Sequence, residues 1–280
     1  MTIQSDYYKS NSVFCSIRTT KAMQKEQFVS DHVLIHILSG RLDIVEADCH
    51  SSYHCGDTLF VRRNSLAKFI KFPQNDGEPF KSLSIFIKRS FLRTYYAMNR
   101  HHLGITQHPG ADVRIKKIEA TPLLQGYFAS LGSYFDADMK LTEELVEIKT
   151  REAMFLLNQI DPPLYRCLFH FVEPGKIDLE EFMCKNFVFN VPLETFSKMT
   201  GRSLSTFKRD FHKIFDQSPS RWLKKKRLEF AHYLLKEKHR PPSDVYLQAG
   251  FENLSHFSSS FKEVYGYNPS DLVTLRTKRI

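Results

Sequence analysis

The sequence predicts an α+β protein of two domains, rich in strands toward its start and wholly helical toward its end. Three observations carry that expectation. Residues 13–88 hold short apolar or alternating runs separated by turn chemistry; from 118 to 160 the apolar residues adopt helical spacing; and the segment LSTFKRDFHKIFDQSPS at 204–220 returns as LSHFSSSFKEVYGYNPS at 254–270. Self-similarity at a fixed offset marks one structural unit used twice.

The strands come first. HisValLeuIleHisIleLeu at 32–38, ArgLeuAspIleValGlu at 41–46, ThrLeuPheValArg at 58–62, LysPheIleLysPhe at 68–72 and LeuSerIlePheIle at 83–87 are punctuated by Ser39-Gly40, Cys55-Gly56-Asp57 and Pro73-Gln74-Asn75-Asp76-Gly77. Runs of this length with such boundaries predict a small antiparallel β-sandwich or barrel. His32, His36, His50 and His54 are the metal-ligand candidates in it. Their spacing suits a metal poorly: His32 and His36 lie four apart on one strand, and His50 and His54 flank a turn. They are expected to be surface or partly packed histidines, with no metal and no cofactor. Arg62 and Arg63 could reach an anionic ligand, but solvation or pairing with acids fits them equally.

The helical stretch begins at Pro122, which opens a helix carrying Leu124, Tyr127, Phe128, Leu131 and Phe135 on one face. A second helix starts at Thr142 with Glu144 and Leu145 and runs to Asn158. Its apolar stripe is read as Leu141, Leu145, Ile148, Phe155 and Ile160, interrupted by Glu152, so it is no clean coiled coil. Together they form an αα-hairpin packed against the β-domain. Asp161-Pro162-Pro163 ends the second helix, and Glu173-Pro174-Gly175 is a further break. The expected domains are therefore 1–160 and 176–280 with a connection at 161–175, within which Leu164–Val172 is apolar enough to pack.

The repeat carries the chemistry. Phe207, Phe211 and Phe215 in one copy, and Phe257, Phe261 and Tyr265 in the other, recur every fourth residue and form one buried helical stripe. Positions between them face away, and in the first copy they include Lys208, Arg209 and Lys213. Before each of these helices stands a shorter amphipathic segment closed by Gly201 or Gly250. Helix, glycine turn, helix is the arrangement whose second member enters a DNA major groove. Between the copies lies a proline-started helix with apolar Trp222, Leu223, Leu228, Ala231, Leu234 and Leu235, interleaved with Lys224–Arg227.

Charge agrees with that reading. Residues 176–280 carry 19 Lys/Arg against 12 Asp/Glu, net +7, while residues 1–175 carry 21 against 19, net +2. A basic domain attracts polyanions through counterion release. No stretch approaches the roughly 20 apolar residues of a membrane helix, and the N-terminus lacks a basic start followed by an apolar run. A cytoplasmic protein is expected. The cysteines, Cys15, Cys49, Cys55, Cys167 and Cys184, are odd in number and form no CxxC, so reduced thiols used mainly in packing are expected. Walker A, GxGxxG, HExxH and GxSxG patterns do not occur.

These residues resemble the AraC/XylS transcription regulators. The resemblance is carried by Ser203-x-x-x-Phe207-x-Arg209-x-Phe211, by Arg227-Leu228-x-x-Ala231-x-x-Leu234-Leu235, and by Ala249-Gly250-Phe251-x-Asn253-x-Ser255-His256-Phe257-x-x-x-Phe261-Lys262-x-x-Tyr265-Gly266-x-x-Pro269-Ser270. It covers about 180–275 and implies two helix-turn-helix units joined by one long helix, with recognition helices at about 203–214 and 253–264. Ser259 stands where an arginine is frequent, weakening the contact expected from the second helix. Tyr246 and Ser197 replace small alanines. The order "strand, Ser-Gly-Arg-Leu, strand, Cys-Gly-Asp-Thr-Leu-Phe-Val" resembles the family's cupin-like sensor domain. Ala120-Thr121-Pro122-Leu123-Leu124 after a LeuPheValArgArg strand is similar to the branch controlled by a partner protein.

The resemblance implies a DNA-binding regulator, with an activator expected. Its implied partners are duplex DNA, RNA polymerase, and a small-molecule ligand or regulatory protein at the N-terminal domain; the helical hairpin is implied to serve dimerisation. Candidate DNA contacts are Ser205, Thr206, Lys208, Arg209 and Lys213 in the first unit, and Asn253, Ser255, His256, Ser259 and Lys262 in the second. From a different class, the alternative is a cupin-type metal-dependent oxygenase with an accessory basic domain.

Overall fold

The run at 32–38 is apolar without the alternation of a half-exposed strand, and the fold accounts for this by burying it on both sides. The computed structural model describes residues 4–8, 12–23, 27–103, 113–137, 141–171 and 175–272. It divides into two units, Met1–Val172 and Glu173–Ile280.

In the first unit the strands are β1 (Gln4–Tyr8), β2 (Val13–Arg18), β3 (Ala22–Met23), β4 (Phe28–Val29), β5 (His32–Ser39), β6 (Arg41–Val45), β7 (His50–His54), β8 (Thr58–Val61), β9 (Ser65–Leu66), β10 (Lys68–Phe72), β11 (Phe80–Ile87) and β12 (Ile115–Ile118). The helices are α1 (Arg89–Leu103), α2 (Pro122–Asp136), α3 (Glu143–Ile160) and α4 (Pro162–Cys167). A six-stranded sheet runs β1-β2-β11-β5-β8-β12, a four-stranded one β3-β10-β6-β7, and β4 pairs with β9. The pairings are antiparallel throughout.

Side chains alternate across the larger sheet with a period of two. Val33, Ile35, Ile37, Leu59, Val61 and Phe80 share one core with Leu42, Ile44 and Phe69 of the smaller sheet. Leu34, Phe60, Leu83, Ile85 and Ile87 face the other way, into a core with Leu92, Leu124, Tyr127, Phe128, Leu131, Leu157 and Leu164 from the helices. The larger sheet is thus the middle layer between a second sheet and a helical layer.

Several expectations change here. His32 and His36 are buried on the helical side: His32 stacks on Phe60, and His36 stacks on Phe128 and hydrogen-bonds Thr58 through Nδ1 at 2.8 Å. His50 and His54 are the ends of strand β7 and do not flank a turn. Arg62 and Arg63 use their guanidinium groups on His170: Arg62 Nη2 lies 3.2 Å from its Nδ1, and Arg63 Nη2 donates to its carbonyl at 3.0 Å. Packing explains only part of the cysteine set, because Cys15 and Cys167 are buried while Cys49, Cys55 and Cys184 are exposed.

The stripe read for helix α3 holds only in part: Leu141, Leu145 and Ile160 pack on the helical-side core, but the inner face also takes residues outside the stripe. Ala153, Met154, Leu156 and Leu157 are buried, and Lys149 joins them with its ammonium donating to Ser130 Oγ and Glu152 at 2.8 and 2.9 Å. Ile148 and Phe155, assigned to the buried stripe, are 53% and 62% exposed. Residues read as the start of the connection also pack. Asp161 caps α4, and Leu164, Tyr165, Leu168 and Phe169 belong to the helical-side core. Glu173 and Pro174 of the second break lie outside the described residues.

The second unit contains α5 (Leu179–Asn186), α6 (Leu193–Met199), α7 (Leu204–Phe215), α8 (Pro219–Lys236), α9 (Pro242–Gln248) and α10 (Leu254–Tyr265). Helix α8 is the proline-started linker, with Trp222, Leu223, Leu228, Ala231, Leu234 and Leu235 buried.

Candidate nucleic-acid interface

Each repeat builds its outward face by the same local rules. In α7, Phe207 and Phe211 are fully buried and pack toward Trp222 of α8, with centroids 5.6 Å apart in the tilted Phe207–Phe211 pair and 5.6 Å in the edge-on Phe211–Trp222 pair. In α10, Phe257 and Phe261 repeat this, 5.6 Å apart, against Phe251 and Tyr265. Burying a stripe every fourth residue forces the remaining positions outward.

The start of each helix is capped. Ser203 Oγ accepts from Thr206 N at 3.3 Å, and Asn253 Oδ1 accepts from His256 N at 2.7 Å. The residues before them form the turns. Gly201 and Gly250 have φ of +65° and +87°, and a Cβ would lie 2.4 Å from the Gly175 carbonyl in one case and 2.6 Å from the Val188 carbonyl in the other. Only glycine meets both demands.

On α7, Ser205, Lys208, Arg209 and Lys213 are exposed, and Thr206 is half-buried with its hydroxyl accepting from Ser203 Oγ at 2.9 Å. Arg209 keeps a loose ion pair with Asp210 at 3.6 Å, but Asp210 belongs mainly to Arg202, whose Nε reaches it at 3.2 Å. That hydrogen bond, aided by Lys176 and Arg209, holds the Asp210 carboxyl below its usual range. Arg202 also donates to the carbonyls of Ile177 and Thr200, so it fastens the segment before α5 to the turn.

On α10, Asn253, Ser255, His256, Ser259 and Lys262 are exposed, but two groups are already engaged. Asn253 spends its side-chain oxygen on the cap. Ser259 Oγ donates into its own helix, to Ser255 O at 2.8 Å and His256 O at 3.3 Å. The position matching Lys213 is Glu263, paired with Lys224 of α8 at 2.8 Å, which holds its carboxyl low. The two faces are therefore unlike: the first presents three cations, the second one lysine, a histidine and short hydroxyls.

Sequence reasoning did not single out Lys224 or Arg202, nor a role for Arg227 beyond its place in a motif. Basic character on α8 was the one available signal, and it does not reveal which lysine faces an acid thirty-nine positions away. The described residues contain no group of three or more His, Cys, Asp or Glu that could hold a metal, and no helix is long and apolar enough to cross a membrane.

Comparison with known proteins agrees with this architecture in both units. The family description "Helix-turn-helix domain" matches residues 196–274, and "ExsA N-terminal regulatory domain" matches residues 32–163. The HTH-type transcriptional regulator ExsA of Pseudomonas aeruginosa is 27% identical over 237 residues, covering 84% of this chain and 83% of that protein. The thermoregulatory protein LcrF of Yersinia pestis is 27% identical, with 77% and 79% covered. The virulence regulon transcriptional activator VirF of Yersinia enterocolitica is 26% identical over the same shares. Among solved structures, ToxT from Vibrio cholerae matches with a TM-score of 0.43 at 15% identity, covering 95% of this chain and 98% of that one. With a doubled helix-turn-helix unit behind a matching regulatory region, the chain belongs to the AraC/XylS family of DNA-binding transcription regulators.

Proposed function

We propose that the chain is a transcription activator that reads duplex DNA with α7 and α10 in successive major-groove segments, α7 supplying most of the charge. The observation that carries this reading is the pair of capped helices with equivalent buried stripes, which leaves Ser205, Thr206, Lys208, Arg209 and Lys213, and Asn253, Ser255, His256, Ser259 and Lys262, on the outer faces. Arg209 and Lys208 suit guanine edges and phosphates; His256 and Ser255 suit shorter-range hydrogen bonds. Activation, as in the name of the VirF relative, requires contact with RNA polymerase, and the chain works in the cytoplasm by binding rather than catalysis.

The 1–160 part provides regulation. Exposed Ile148 and Phe155, one above the other on α3, support a homodimer contact. Leu123, 65% exposed at the start of α2, supports control by a regulatory protein in preference to a small ligand. The test is selection of duplexes from a random-sequence library by the full-length protein, followed by titration between about 50 and 200 mM salt. A defined motif bound with steep salt dependence supports the reading. Recovery of no motif, with binding that ignores sequence, overturns it.

A further inference from the structure

A short strap, residues 187–190, joins α5 to the segment that starts α6, and it lies between the two modules. Its carbonyls need partners, because Phe187 is the C-cap of α5 and the last carbonyls of a helix have none within it. Arg227, in the middle of α8, supplies them. Its Nε donates to Phe187 O at 2.8 Å, Nη2 to Phe189 O at 2.7 Å, and Nη1 to Asn190 Oδ1 at 3.3 Å. The Phe187 ring packs edge-on against Trp222 and Phe230 of the same helix, at 6.5 and 5.7 Å between centroids. Taken out of water among neutral acceptors, the guanidinium has its pKa lowered to about 10 by desolvation.

The strap's other side meets the second module. Asn190 Nδ2 donates to Glu252 Oε1 at 2.8 Å, one residue before the cap of α10. The Gly250 backbone approaches so closely that an added Cβ would lie 2.6 Å from Val188 O and 3.0 Å from Arg227 Nε. One side chain from the linker helix therefore touches the strap three times, and the strap touches the turn that aims the second recognition helix. Arginine alone presents several donors in a fixed planar fork; a lysine could reach only part of this set.

We propose that Arg227, with the Asn190–Glu252 hydrogen bond, is a specificity-determining positioning element that locks the two modules together, so that the spacing and phase of the two DNA segments become part of the sequence selected. This rests on the reading that both α7 and α10 contact DNA. One inserted base pair moves the second segment by about 3.4 Å and turns it by about 34°. A locked pair cannot follow such a displacement, since hydrogen bonds fail within a few tenths of an ångström of their limit. Modules joined loosely would follow it at little cost.

The test uses the full-length protein, a duplex it selects from a random library, and versions with one base pair inserted between the two protected segments. Wild type should lose at least about 30-fold in affinity on insertion, the loss expected when several base contacts fail together. Arg227→Lys and Glu252→Ala should each bind the parent duplex less tightly yet lose under about 5-fold on insertion. A merely structural defect would weaken both duplexes alike and leave that ratio unchanged. Glu252→Ala removes one exposed hydrogen bond, so it carries the test should Arg227→Lys fail to melt like wild type. An unaltered insertion ratio in the folded variants overturns the proposal, as does a wild type that tolerates the insertion while still binding its motif. Protection of a single segment would instead overturn the two-helix reading beneath it.

Discussion

Arg209→Ala isolates base reading from folding because the structure gives this side chain so little to do within the protein. It is 66% exposed, and its contact with Asp210 is a loose 3.6 Å pair beside the tighter Arg202–Asp210 contact at 3.2 Å. An exposed pair of this kind contributes well under about 1 kcal/mol, so the melting temperature should hardly move. A bidentate contact to guanine contributes about 1–3 kcal/mol, which at about 1.4 kcal/mol per tenfold is roughly 5- to 150-fold in Kd. The salt slope distinguishes the two modes of contact: a base contact leaves it unchanged, whereas a lost phosphate contact lowers it by about 0.9. Fluorescence anisotropy on the selected duplex and on a scrambled one, over several salt concentrations, measures both quantities. Lys208→Ala, expected to lose phosphate attraction, should weaken both duplexes alike. Native melting together with unchanged affinity in Arg209→Ala would refute the assignment of α7 as the base-reading helix through this residue.

Three further expectations follow from packing and protonation. Gly201→Ala combines a φ of +65° with a 2.4 Å clash against Gly175, so it should cost more than about 2 kcal/mol and lower the melting temperature by several degrees, measured by circular dichroism. His32 is buried with its pKa lowered to about 3, chiefly by desolvation and further by Arg63 and Arg62; the unfolded chain binds this proton between pH 6.5 and 3 and the native state does not, so stability is full above 6.5 and falls by about 1.4 kcal/mol per pH unit below it. His32→Phe, keeping the ring stacked on Phe60, should flatten that slope by one proton in denaturant titrations from pH 4 to 7. Phe155→Glu on the exposed face of α3 should abolish self-association in sedimentation without lowering the melting temperature; unchanged association would exclude that face as the dimer contact.

The parts legible in sequence are those where one local rule dominates. Pro219 and Pro122 open their helices, and Phe207, Phe211, Phe257 and Phe261 are buried as read, with Phe215 and Tyr265 half-buried at the ends of the two stripes. The misread parts are those where a residue answers to more than one neighbour. Helix α3 has apolar residues on two faces, and the sequence does not say which one meets α2 and the sheet; Lys149 sits on the chosen face because Ser130 and Glu152 satisfy its ammonium, and although Glu152 is an i,i+3 neighbour, Ser130 on α2 is not visible from the helix period. Helix α1 escaped because, among its described side chains, Phe91, Leu92, Tyr95 and Tyr96 mark the inner side amid polar residues. Strand β7, His-Ser-Ser-Tyr-His, is an edge strand with a largely exposed face, where apolar alternation is weakest.

The repeat itself shows how packing and reading were separated. Pairs identical in both copies include the buried Phe207/Phe257, Phe211/Phe261 and Pro219/Pro269, together with the exposed Ser205/Ser255 and Ser220/Ser270. Among the pairs that differ, Thr206/His256, Lys208/Ser258, Arg209/Ser259 and Lys213/Glu263 are exposed or half-buried, whereas Asp210/Ser260 has a buried member in Ser260. A buried ring that fills a close-packed core tolerates little change, while an exposed position changes freely as far as stability is concerned. One scaffold thus carries two unlike surfaces. A DNA site read by one chain must then be asymmetric, with a segment rich in charge-assisted contacts and a second read by hydroxyls and an imidazole; any palindrome would have to come from pairing two chains, not from the repeat.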